Sequence, residues 1–149
     1  MDDIEAIKRL KARYCRLMDT KDWAGYRELF TDDVRVDLES AGGAVPGQGH
    51  ESTGASGAVI VGADSFVGML APTLGDVVTV HQCHTPEIDL LTASTARGIW
   101  AMEDLLRFPD GTQLHGFGHY HETYAKLGDD WLIKSTTLTR LRTDVVAGS

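Results

Sequence analysis

The stretch "TARGIWAMEDLLRFPDGTQLHGFGHYHETYAKL", residues 95–127, contains two strand-like runs around a hairpin turn signal, "PDGTQ" at 109–113. Before the turn, Trp100, Met102 and Asp104 share one face of a strand, so an apolar wall ends in a carboxylate. After it, His115, His119 and His121 share one face, and Gly116, Gly118, Tyr120 and Glu122 share the other. The glycine face leaves room beside Tyr120, which favours it as the cavity side. Similar runs at 77–92 and 131–146 flank the pair across the turn signals "ASTA" and "GDD". Four long strands in succession predict an antiparallel meander.

The first half is helical. Asp2 or Asp3 caps a helix that runs to about Asp19. At 100° per residue, Ile4, Ile7, Leu10, Tyr14, Cys15, Leu17 and Met18 form one arc. Lys8 and Lys11 interrupt this arc, and their stems are expected to snorkel outwards. Asp19 falls on the same arc, an acid aimed at the interior. "DWAGYRELF", residues 22–30, reads as a second short helix, and "DDVRVDLE", residues 32–39, as a half-buried strand. Residues 40–57, rich in Gly, Ser and Ala, read as a mobile loop that could serve as a lid. A brief strand at 58–62 and a helix from Ala63 or Asp64 to about Pro72 or Gly75 complete the half. Helices first and a meander afterwards predict one α+β domain over residues 1–149, a curved sheet with helices on its concave side.

A formal charge of −8 argues against nucleic acid or an anionic membrane surface as partner, since both reward clustered Lys and Arg. No apolar run approaches the roughly 20 residues that span a bilayer. The charged, helical start does not read as a signal peptide. Two cysteines, Cys15 and Cys83, make no disulfide framework, so free thiols and a cytoplasmic location are expected.

His81 follows "VVTV" inside a strand, with Val77, Thr79 and Cys83 on its face. Alone it reads as a structural histidine. If the first helix crosses the mouth of the sheet, Asp19 reaches it. A buried carboxylate then fixes the imidazole tautomer and makes His81 a competent general base. Asp104 reads either as a second acid at the pocket rim or as a strand-end charge turned to solvent. With His115, His119 and His121 on one face, two His spaced i, i+2 on a strand raise a zinc site as an alternative, although a third ligand is not assured by the spacing. "GGAVPGQG" lacks the ending of a phosphate loop, and no G-x-S-x-G elbow occurs. Cys83 reads as a small buried filler.

The helix, "DTKDW", "LFTDDVRVD", "TVHQCH", "ARGIWAMED" and "YHETYAKLGDDWLI", in this order and spacing, resemble the SnoaL-like branch of the nuclear-transport-factor-2-like superfamily. That branch holds scytalone dehydratase, bile-acid 7α-dehydratase and hexachlorocyclohexane dehydrochlorinase. The resemblance implies a cone-shaped α+β barrel with a deep pocket and a His–Asp dyad that removes a proton while a leaving group departs. It places the dyad on Asp19 and His81. The scytalone dehydratase pocket tyrosines fall on Met18 and Leu38. The bile-acid pattern matches Tyr14, Asp104 and either Arg140 or Arg142.

The expectation is therefore a lyase or isomerase of the dehydratase kind that needs no cofactor and acts on a small apolar or alicyclic molecule. His81 takes the proton, Asp19 orients it, and Tyr14 donates to a carbonyl or leaving oxygen. Trp100, Met102 and Tyr120 shape the pocket, Asp104 assists as acid, and Arg140 contacts substrate. The alternative is a small-ligand-binding or scaffold protein of the same fold. The outer sheet face is expected to pair with further copies as a dimer or trimer.

Overall fold

Asp2 starts the first helix by accepting the Glu5 N–H at 2.8 Å. The computed structural model describes residues 1–38 and 59–148, so the loop expected over residues 40–57 lies outside the described residues. Helix α1 spans Asp3–Asp19 and buries Ile7, Leu10, Tyr14, Leu17 and Met18. At its end the Lys21 N–H donates to the Met18 carbonyl and the Asp22 N–H to Leu17, with Lys21 at φ 62°. This is a Schellman closure with lysine in the left-handed position that glycine usually fills. Helix α2 is only Trp23–Arg27, shorter than its sequence suggests. The chain leaves it early because the Leu29 carbonyl accepts from Ile133 N–H at 2.8 Å, and Phe30 then enters the sheet.

Strands β1 (Phe30–Asp37) and β2 (Val59–Val61) precede helix α3 (Ala63–Leu74), and β3 (Val78–Leu90), β4 (Thr95–Arg107), β5 (Gln113–Leu127) and β6 (Asp130–Val146) follow. They form one curved sheet in the order β2-β1-β6-β5-β4-β3. All neighbours run antiparallel except β1 and β6, which are parallel. This is the α+β cone the sequence predicted. Strict alternation buries Thr79 and His81 on β3, Trp100, Met102 and Asp104 on β4, and Tyr120, Glu122 and Tyr124 on β5. The inward face packs on α1 and α3 around Tyr26, Phe30, Phe66, Val34 and Ile133.

Lys11 departs from its expected outward course. Its side chain and that of Glu122 are both 0% exposed, and they pair at 2.8 Å. The ammonium lies 3.5 Å from the Tyr14 ring centroid and 3.7 Å from that of Tyr120. An opposite charge and two aromatic faces replace the water that the ammonium would otherwise seek.

Candidate active site

Cross-strand register builds the site. His81 lies opposite Asp104, and Asp104 lies opposite Gly116 on the next strand. Helix α1 ends directly over this row. The Asp19 Oδ1 lies 2.7 Å from His81 Nδ1, and Asp19 Oδ2 accepts the His81 backbone N–H at 2.7 Å. The Thr79 hydroxyl donates to Oδ1 at 2.9 Å, and Lys21 Nζ donates to that hydroxyl at 2.9 Å. A carboxylate only accepts, so Nδ1 carries the proton and neutral His81 keeps its lone pair on Nε2. Burial and the Asp19 charge together pull the Lys21 pKa in opposite directions, and burial wins, lowering it.

Nε2 faces Asp104, whose Oδ2 lies 3.8 Å away. Asp104 is 3% exposed, which excludes the solvent-facing reading. Arg140 holds it with two parallel hydrogen bonds of 2.9 Å each. Burial alone would raise the Asp104 pKa, but the Arg140 bonds and charge override it and hold the carboxyl below its usual range. Asp104 is therefore ionised at neutral pH and has no proton to give, contrary to the acid role expected of it. Arg142 pairs instead with Asp144 near solvent, so Arg140 is the arginine at the site.

The glycine face also reads differently in three dimensions. A Cβ at Gly116 would run into the Arg140 guanidinium and the Asp104 carboxylate, and one at Gly118 would meet the Thr139 carbonyl. The room that these glycines leave is filled by Arg140 and the β6 backbone, not by open cavity.

The cavity itself, about 370 Å³, lies between the sheet, the end of α1, α3 and the turn after β4. Tyr14, His81, Asp104, Tyr120 and Arg140 form its polar end, while Met18, Leu38, Phe66, Leu70, Leu106, Phe108 and Leu138 supply apolar wall. That volume suits a small organic ligand. Tyr14 and Tyr120 meet edge to face at 5.5 Å, and burial raises both phenol pKa values well above the ordinary one. Both are therefore neutral hydroxyls at physiological pH.

Two expected wall residues stand elsewhere. Met102 belongs to the core and does not line the cavity. Trp100 lies behind the wall, where its Nε1 donates to Tyr124 OH at 2.8 Å and Tyr124 OH donates to Glu122 at 2.8 Å. Its large ring is committed to that polar chain. His115, His119 and His121 sit on the outer face, His121 against the Thr139 hydroxyl at 3.1 Å. Among the described residues no three His, Cys, Asp or Glu side chains group as a metal site. Thr79, Lys21 and the Lys11–Glu122 pair escaped the sequence reading. Thr79 had a signal, its place on the His81 face two residues earlier.

Comparison with known proteins sets the chain in context. The sequence pattern of the SnoaL-like domain matches residues 1–137. "Probable cyclase FGR4" of Gibberella zeae is 27% identical over 142 residues, covering 91% of this chain and 89% of that protein. Among solved structures, a scytalone dehydratase candidate from Novosphingobium aromaticivorans superposes with TM-score 0.75 at 20% identity, covering 99% of this chain and 91% of the other. A hexachlorocyclohexane dehydrochlorinase, LinA type 2, gives TM-score 0.75 at 14% identity, covering 97% and 89%.

Proposed function

The chain belongs to the SnoaL-like domain family, and from that premise we propose that it is a lyase or isomerase that uses His81 as general base on a small, neutral, largely apolar ketone or alcohol. The observation that carries the reading is the His81 ring, fixed by Asp19 at 2.7 Å, its other nitrogen 3.8 Å from Asp104 at the polar end of an otherwise largely apolar cavity. The names of the relatives, a cyclase, a dehydratase and a dehydrochlorinase, support the same class of chemistry.

In the step we infer, Nε2 removes a proton from the carbon next to a carbonyl. The Tyr14 hydroxyl donates to the oxygen on which negative charge develops. Asp19, and Asp104 from the other side, stabilise the imidazolium so formed. His81 then returns the proton to the departing hydroxide, and water leaves behind a carbon–carbon double bond. Among the described residues that line the cavity, Arg140 is the only Lys or Arg and it is paired with Asp104, so none is left for a substrate carboxylate or phosphate. The ligand is therefore uncharged at its reacting end.

The test is a panel of neutral cyclic β-hydroxyketones, followed by the ultraviolet absorbance of the conjugated enone. Turnover of at least one member is expected, with His81→Ala slower by about 10²–10⁴-fold. Panel members that raise the melting temperature yet yield no enone would point to the ligand-binding alternative.

A further inference from the structure

Cys15 and Cys83, set apart as a mere pair of free thiols by the sequence, lie with their sulfurs 3.5 Å apart. One sits on α1, a turn before Asp19. The other sits on β3, two residues beyond His81 on the same face. The thiols thus bridge the same two elements as the Asp19–His81 hydrogen bond, one step further along. Both are partly exposed, and both line a second hollow with Lys8, Lys11 and His84, which shares His81 with the main cavity. Their partial exposure in this hollow opens them to a small oxidant.

We propose that Cys15 and Cys83 form a reversible redox site, oxidised by hydroperoxides to a disulfide that clasps α1 to β3 beside the catalytic dyad. The two thiols have unequal parts. The contact with Cys83, a hydrogen bond that either thiol can donate, together with Lys11 nearby, lowers the Cys15 pKa below the usual thiol range against the opposing effect of burial. The same bond and burial push Cys83 up. In the order we propose, Cys15 attacks and Cys83 resolves. The Cys15 thiolate attacks one peroxide oxygen. The O–O bond breaks, the second oxygen departs as hydroxide or alkoxide and takes up a proton, and Cys15 becomes a sulfenic acid. The Cys83 sulfur then attacks the Cys15 sulfur, the S–O bond breaks, and water leaves with the Cys83 proton. Two thiols lose two electrons in total, and the peroxide gains them.

Bond formation requires the sulfurs to close from 3.5 Å to about 2.05 Å. The bridge would close a loop between residues 68 positions apart. A cross-link of that span restricts the unfolded chain enough to raise the melting temperature by about 10 °C.

The test treats the reduced full-length protein with hydrogen peroxide near neutral pH. The expected result is a mass lower by two hydrogens, a peptide joining Cys15 to Cys83, reversal by dithiothreitol, and the higher melting temperature. Cys83→Ser should trap a sulfenic acid on Cys15 that dimedone labels, whereas Cys15→Ser should leave Cys83 unlabelled. Oxygen addition to the wild-type protein without a cross-link, a disulfide between two chains, or thiols that stay reduced in excess peroxide would each overturn the proposal. So would dimedone labelling of Cys83 in preference to Cys15. These readouts do not depend on turnover, so they stand apart from any test of His81.

Discussion

Asp19 has both oxygens committed before any substrate arrives, one to the His81 ring and Thr79, the other to the His81 backbone. That arrangement makes it a positioning group, and its replacement should misplace a proton more than it disturbs the fold. Asp19→Asn offers an amide N–H as well as a carbonyl, so the ring can turn or bind in the other tautomer with Nε2 protonated. We expect kcat to fall by about 10²–10⁴-fold, with KM changed far less, measured on the ketone that the panel identifies. An unchanged kcat would remove Asp19 from the mechanism. The pair itself was legible, because helical periodicity aimed Asp19 inward and strand alternation aimed His81 at the same side. The Asp104–Arg140 pair was legible only in part. Alternation set Asp104 on the face of Trp100 and Met102 but left open whether it turned to solvent, and a guanidinium crossing β5 over Gly116 depends on a neighbouring strand and leaves no periodic trace. Lys11 misled for a related reason. A long cationic stem on an apolar arc looks like a snorkelling side chain until its partner, 111 residues away, is known.

Helix α1 carries Tyr14, Cys15 and Asp19, so its seat on the sheet sets the geometry of the whole site. Lys11 and Glu122 fix that seat in a fully buried pair, continued by Tyr124 and Trp100. Lys11→Met leaves the Glu122 charge buried beside an apolar group, and Glu122→Gln strands the ammonium. Each should cost about 3–5 kcal/mol in urea unfolding, while the double variant recovers much of that loss. Additive losses in the double variant would show that the two groups do not act as a pair. The strands at this scale were readable almost end to end, since their alternation and turn residues agree. Helix α2 was read too long because the apolar spacing of Leu29 and Phe30 suits a helix as well as a strand, and only the hydrogen bond from Ile133 decides between them.

At the scale of the molecule, the cone keeps its phenols out of water. The sequence contains four tyrosines, and burial raises the pKa of Tyr14, Tyr26, Tyr120 and Tyr124 alike. The sign follows directly. Below the unfolded value of 10 these groups are neutral in both states and stability is at its full value. Above it only the unfolded chain gains by releasing protons, so stability falls as pH rises. Ultraviolet titration should show no phenolate band in the folded protein as pH passes 10, then all four appearing together with alkaline unfolding. Gradual phenolate growth in folded protein would contradict the buried placement. The outer sheet face exposes Val78, Val80, Ile99, Leu105 and Leu141, and we propose that it packs against further copies of the chain. Light scattering should give a dimer or trimer mass that Val80→Glu lowers, and a monomer mass for the wild type would contradict this. The central claim, proton abstraction by His81, is tested most directly by hydrogen exchange. A saturated cyclic ketone without a leaving group is incubated with the protein in deuterium oxide, and deuterium at the carbon beside the carbonyl is followed by NMR. The account predicts exchange well above the buffer rate that falls by about 10²–10⁴-fold in His81→Ala, whereas equal exchange in the two proteins would contradict it.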